Sequence, residues 1–280
     1  TYYNIDLLSN AGIPLPASKW AELQEQTQLL TLQDKEGNII QSAVALGTRK
    51  NVERYFDILS LLMMQNGAEM IDISGNAVFD RLPASQQGRA VPPGEEALTF
   101  YTDFANPGKE VFSWDKEQPP SFSAFVSGRT AFFFGYSYHL PLIRARAPRM
   151  NLGIARAPQI EGNPEINFAN YWVEVVSKKS KNQSWAWDFI QFATKAGQVE
   201  TYLKAAAKPT ALRALVAGQL EDLNTGTFAA QVLTAKSWYR GLDAEAAQEA
   251  LLTLIDNVHA GVKPRDALRI AAQKVTQTLR

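Results

Sequence analysis

The stretch Phe125-Val126-Ser127-Gly128-Arg129-Thr130-Ala131-Phe132-Phe133-Phe134-Gly135-Tyr136 decides the fold class. Gly128 suits the end of a helix, because glycine enters the left-handed conformation of a C-terminal cap without a Cβ penalty. Thr130 to Phe134 then runs apolar without alternation, at strand length. Such a strand is buried on both faces, which requires other elements above and below it. The stretch therefore predicts a helix end feeding a strand buried on both faces.

The flanks agree with that reading. Upstream, Tyr2 and Tyr3 read as a short strand, Gly12 to Pro16 as a turn, and the chain from about Ser18 as a helix. The Ser18 hydroxyl is expected to cap free amides there, and Glu22 to favour the positive helix end. Leu30 to Leu32 and Ile39 to Leu46, either side of the Asp34-Lys35-Glu36-Gly37-Asn38 turn, form a hairpin or a loop before a buried segment. Val52, Tyr55, Phe56, Leu59, Leu62 and Met63 recur at helical spacing, and Pro92-Pro93-Gly94 followed by Glu95 and Glu96 marks another helix start. Downstream, Leu152 to Ala157 reads as a strand, Pro158 to Pro164 as a connector, and Phe168 to Val176 alternates in strand fashion. Ser180 to Gln183 forms a capping-box pattern before a helix that places Ala186, Phe189, Ile190 and Ala193 on one face. Ala244 to Val258, a break at Gly261 to Pro264, and Leu268, Ala272, Val275 and Leu279 predict two closing helices.

Bulk properties exclude several function classes. The chain has 280 residues, enough for one large or two ordinary domains, and 46% of them are hydrophobic. Lys+Arg 28 against Asp+Glu 28 leaves a net charge of +0, so no overall field draws in nucleic acid or an anionic membrane. The absence of cysteine removes disulfides and thiolate chemistry. The longest apolar stretch, Ala131 to Ile143, is interrupted by Tyr136, Ser137, Tyr138, His139 and Pro141, and falls short of the roughly 20 residues that a membrane span needs. The sequence opens on Thr1 and a strand-like segment, which leads us to expect an upstream part that is not included.

Catalytic signatures are sparse. His139 and His259 lie far apart in the chain, with no carboxylates at metal-ligand spacing, so no metal site is expected. Neither GxGxxG nor GxxxxGK[ST] occurs, and no cofactor is expected. Gly135-Tyr136-Ser137-Tyr138-His139 follows a buried strand as a nucleophile elbow would, with Asp256 and His259 later in hydrolase order. An elbow needs a small residue where His139 stands, so the plainer reading is a strand end that displays two tyrosines. Asp57, Asp115, Asp188 and Asp256 fall on helix faces, where solvation or ion pairing is the default. Glu174 sits beside Trp172 in the apolar strand pattern and is expected to be buried, which requires a donor from a partner or a ligand hydroxyl.

Four stretches bring the chain close to a known family. Tyr2-Tyr3-Asn4-Ile5-Asp6-Leu7-Leu8, with Ala11-Gly12-Ile13-Pro14 and Trp20-Ala21-Glu22-Leu23, resembles the opening signature of the bacterial extracellular solute-binding proteins related to the maltose-binding protein. Phe125 to Phe132 resembles the element that precedes that family's ligand-bearing strand. Val176-Ser177-Lys178-Lys179-Ser180-Lys181, leading to Ala186-Trp187-Asp188-Phe189-Ile190, resembles a third family element, and Lys236-Ser237-Trp238-Tyr239 an aromatic cleft segment.

The resemblance implies a periplasmic-binding-protein-like α/β fold of type II, with two lobes around a hinge. It places residues 1 to about 164 and 209 to 280 in lobe two, and 165 to 208 in an inserted piece of lobe one. Roughly a hundred residues of lobe one are then absent. The implied function is that of a non-enzymatic receptor for an ABC-type importer. It would close an interlobe cleft on a solute, expected to be a mono- or oligosaccharide, and pass it to membrane permease subunits. The location would be extracellular or periplasmic, with a lipid anchor on a preceding segment as one route. A sugar cleft needs flat apolar faces and a few polar groups. Tyr136, Tyr138, Trp172, Trp238 and Tyr239 are the candidate faces, each against core packing. Glu174 and Asn51 are the polar candidates, Asn51 also being placed to cap a helix. Trp20, Trp185 and Trp187 lie in helix patterns and read as packing residues. The alternatives are a carbohydrate-active hydrolase using Ser137 or Glu174, and a sensory binding protein that presents its closed form to a membrane receptor.

Overall fold

The computed structural model describes residues 1–279. β1 (Tyr2–Asn4) leads straight into α1 (Ile5–Asn10), whose first amides are capped by the Asn4 side chain, accepting from Asp6 N–H at 3.0 Å and Leu7 N–H at 3.3 Å. α2 (Trp20–Leu30) buries Trp20, Leu23, Thr27 and Leu30, one stripe at helical spacing. The Ser18 hydroxyl does not cap it. It donates to Glu22 at 2.9 Å, and the Glu22 carboxylate also accepts from the amides of Ser18 and Lys19, reversing the expected donor and acceptor roles.

Of the hairpin and the loop left open by the sequence, the hairpin forms, from β2 (Leu32–Gln33) and β3 (Ile39–Val44), its turn closed by the Asp34 carboxylate accepting from the amides of Glu36 and Asn38. α3 (Tyr55–Gln65) and α4 (Pro93–Asp103) follow, then α5 (Ser121–Val126), β4 (Thr130–Phe133), α6 (His139–Arg146) and β5 (Leu152–Ile154). The sheet order is β2-β3-β4-β1-β5, with β3 and β4 parallel and the other pairs antiparallel. All four residues of β4 are buried at its centre, as the unbroken apolar run predicts. Gly128 takes φ 73° at the end of α5, where Arg129 N–H reaches back to Ala124 O at 2.9 Å.

α3 is buried along its whole length, so it forms the spine of the core rather than a surface helix. It packs on α4, and both are covered by the closing hairpin of α11 (Ala244–His259) and α12 (Pro264–Thr278). Buried Gln65 at its end accepts from Trp20 Nε1 at 2.6 Å and donates to Pro158 O at 3.0 Å and Ile166 O at 2.8 Å. That one amide pins α2 and the 158–166 connector to the spine.

Beyond the connector, β6 (Asn167–Phe168) runs parallel to β7 (Ala235–Lys236), so the chain leaves the core and returns to it along adjacent strands. The excursion holds α7 (Gln183–Ala193), α8 (Ala196–Ala206), α9 (Arg213–Gln219) and α10 (Gly226–Ala229). It rejoins the core at Phe228, whose ring lies 5.9 Å from that of Tyr2.

Two expectations fail in the excursion. Of the strand expected over Phe168 to Val176 only Phe168 is kept, as the second residue of β6, and residues 169–176 are irregular and largely exposed. Alternation makes a strand only where a neighbour supplies the ladder, and the described residues offer none there. The capping box also fails: α7 starts after Asn182 with no side-chain cap, and the Ser180 hydroxyl accepts from Asn182 N–H instead. α7 itself buries none of its residues, and Trp185 and Trp187, read as packing residues, are exposed at 76% and 49%.

Candidate functional site

The loop from β4 to α6 carries Tyr136, Ser137 and Tyr138, and its geometry is set by buried partners. Tyr136 O accepts from the Tyr2 hydroxyl at 2.7 Å and from His139 N–H at 3.0 Å. Its N–H donates to His139 Nδ1 at 3.0 Å. So fixed, the Tyr136 and Tyr138 rings stack with centroids 6.0 Å apart and planes 24° apart.

The start of α3 meets this pair from the other side. The Tyr136 hydroxyl donates to Asp57 Oδ2 at 2.8 Å. The Arg54 guanidinium lies 5.5 Å and 5.6 Å from the centroids of the Tyr136 and Tyr138 rings and donates to the Tyr138 hydroxyl. Arg54 adopts φ 61° just before the helix, a left-handed conformation that costs a non-glycine residue roughly 1–2 kcal/mol.

Asp57 is 8% exposed. Burial pushes its carboxyl above the ordinary aspartate range, opposed by the Tyr136 hydroxyl, by the charges of Arg54 and Arg240, and by the Asn170 side chain. Burial, then the neighbouring Asp57 charge and hydrogen bond, likewise push the Tyr136 phenol far up, so it is a fixed donor. Asn170 lies just past β6, so Asp57 ties α3, the tyrosine loop and the outgoing crossover together.

The returning crossover supplies Trp238. Its ring stacks on Phe56 at 5.7 Å and 22°, it lies edge-on to Phe79, and Nε1 donates to Ser60 Oγ at 3.1 Å. Arg240 covers Phe56 at 5.2 Å. Trp238 is half-buried, and Tyr239 beside it is 58% exposed. Phe56 and Asp57, adjacent in α3, thus connect Trp238 to the tyrosine pair.

The other candidates stand apart. Asn51 is buried with its amide engaged: Nδ2 donates to Asp115 O and Gln118 O, both at 2.8 Å, and Oδ1 accepts from the Thr48 hydroxyl. It binds one loop to another rather than capping a helix or offering an amide to solvent. Glu174 is exposed, contrary to the expected burial, and Trp172 is 96% exposed, because the strand that was to enclose them does not form.

Nor do the residues of a triad converge on Ser137. His259 Nε2 faces Gly47 O at 2.7 Å, and Asp256 pairs with Arg49 at 2.6 Å. Among the described residues no group of histidines and carboxylates is arranged to hold a metal ion.

Arg54 and Asp57 were not read from the sequence as site residues. Asp57 did leave a trace there: it is the lone charge in Tyr55-Phe56-Asp57-Ile58-Leu59-Ser60-Leu61-Leu62-Met63-Met64. A carboxylate in a helix with no polar face needs partners, and here they are Tyr136 and Asn170.

Solved structures share the architecture. A solute-binding protein of an ABC transporter from Thermotoga lettingae, bound with α-D-tagatose, superposes with a TM-score of 0.69 at 20% identity, covering 100% of this chain and 69% of that one. The cyclic α-maltosyl-1,6-maltose binding protein of Arthrobacter globiformis gives 0.74 at 19% identity over 99% and 69%. Maltose-bound MalE3 of Thermotoga maritima gives 0.68 at 20% over 99% and 69%. The fold is therefore the type II periplasmic-binding-protein architecture, and the chain spans about 69% of the length of these structures. Residues 1–200 match the family model of bacterial extracellular solute-binding proteins, and the chain belongs to that family. By its family it is an extracellular solute-binding protein rather than an enzyme, placed outside the cell or in the periplasm.

Proposed function

We propose that this protein is the receptor of a carbohydrate importer, taking a mono- or oligosaccharide against the Tyr136–Tyr138 pair and Trp238 and passing it to the permease subunits. The observation that carries the reading is the stacked tyrosine pair, clamped by Arg54 and Asp57 where the two crossovers meet the core. Stacked rings suit the C–H faces of a pyranose, while the guanidinium and carboxyl suit its hydroxyls. Micromolar affinity needs about 8 kcal/mol, within reach of a few such contacts once a second wall closes over them.

In this reading residues 1–164 and 209–280 form one lobe, and 165–208 contribute to the other. The outward apolar side chains of α7 support that division, since Trp185, Phe189 and Phe192 are at least half exposed and suit the remainder of a lobe. A lipid on a segment preceding Thr1 would hold the receptor at the membrane.

The test is calorimetric titration of the full-length protein with a panel of mono- and malto-oligosaccharides, alongside Tyr138→Ala. Saturable binding that weakens about tenfold in the variant is expected. Heat-free titrations across the panel, with no rise in melting temperature, would sink the carbohydrate assignment.

A further inference from the structure

His139 is 2% exposed and lies under the tyrosine pair. Its ring meets Phe133 edge-on at 5.1 Å, Phe122 at 5.8 Å and Tyr138 at 4.1 Å. The backbone is shaped to admit it: a Cβ on Gly135 would stand 2.8 Å from His139 Nδ1 and 2.7 Å from Phe133 Cε1.

The hydrogen bonds fix which nitrogen carries the proton. Tyr136 O already accepts from the Tyr2 hydroxyl and from His139 N–H, whereas Tyr136 N–H has His139 Nδ1 at 3.0 Å. Nδ1 is therefore the acceptor, which leaves the proton on Nε2, facing Glu53 Oε2 at 3.4 Å.

We infer that His139 is the positioning residue of the tyrosine pair, and that protonation of its Nδ1 dismantles the pair and releases solute in acid. With both ring nitrogens protonated, Nδ1–H and Tyr136 N–H become two donors face to face, and the one acceptor beside Nδ1 is Tyr136 O at 3.3 Å, which already takes the Tyr2 hydroxyl and His139 N–H. The loop must then move, taking Tyr136 off Asp57 and Tyr138 off Arg54.

The titratable and charged groups around the ring are Glu53 and Arg54 from the start of α3, with Asp57 one hydrogen bond further through Tyr136, Tyr138 on the same loop, and Tyr2 from β1. α5 and β4 present Phe122 and Phe133.

The inference rests on the receptor reading, and its test separates the two. Full-length protein is compared with His139→Asn, whose side-chain oxygen replaces the Nδ1 acceptor, and with His139→Gln, which does not reach that point. The probe is maltotriose, or whichever sugar of the panel binds the unmodified protein. Affinity is measured between about pH 8 and about pH 5, the range over which histidine charge changes.

We expect the unmodified protein to weaken about tenfold in acid, His139→Asn to hold near-native affinity with a flat profile, and His139→Gln to lose about tenfold throughout. A flat profile in the unmodified protein, or native affinity in His139→Gln, overturns the inference. Nitrogen-15 spectra of the ligand-free protein decide it even if no sugar binds: a neutral ring protonated on Nδ1 also overturns it.

Discussion

Asp57 occupies the first turn of a helix, where the positive end of the dipole favours a carboxylate, yet burial dominates and holds its carboxyl above the ordinary aspartate range. The folded protein then binds this proton more tightly than the unfolded chain. Its contribution to stability is lost as pH rises from the unfolded aspartate value through the raised folded one. Asp57→Asn should melt about 2 °C or more above the parent near neutral pH and level with it in acid, in paired calorimetric scans. A gap of equal size at both pH values would show that the charge is not its cause. The same substitution keeps an oxygen that accepts from the Tyr136 hydroxyl but removes the charge facing Arg54 and Arg240, so solute affinity should fall while stability rises. Tyr136 and Tyr138 were legible in the sequence because they follow an unmistakably buried strand. Asp57 was not, since the elements that cover α3 on its remaining sides, α4 and α11, come from distant parts of the chain.

Among the elements, α3 shows how one side chain can organise a junction. Gln65 offers an oxygen to Trp20 and two protons to the connector, all within the core. Gln65→Leu keeps the volume but strands the Trp20 N–H and two carbonyls. A loss of about 2–4 kcal/mol is expected from urea titration, given a desolvation penalty of about 1–3 kcal/mol for an unsatisfied group. A loss below 1 kcal/mol would mean that water replaces the amide. Helix 3, the β2–β3 hairpin and the two closing helices were readable from periodicity and turn residues, because each carries its own pattern. The segment after Phe168 misled for the opposite reason: its alternation of Tyr171, Val173 and Val175 describes a strand whose neighbours must come from elsewhere.

At the scale of the molecule, the excursion between the parallel strands β6 and β7 differs from the rest. Its helix α7 points Trp185, Trp187, Phe189 and Phe192 into solvent, and such a run of exposed aromatic side chains marks a surface that another element covers. Residues 1–280 prepared alone should bind an apolar dye such as ANS and self-associate in light scattering. A longer version that supplies the rest of the lobe should do neither. Equal dye binding by both would argue that nothing covers this face.

The last helices hold a further consequence. His259 in α11 bonds Gly47, 212 positions earlier, and Thr276 in α12 receives the amide of Ala77, 199 positions earlier. The hairpin that covers α3 and α4 is therefore synthesised only after the helices it seals. Until it arrives, Ala97, Leu98 and their neighbours lack a cover, and loop closure over such a span is slow. A chain stopped short of Ala244 would therefore leave α3 and α4 without their seal, and the core can close only once residues 244–278 have been added.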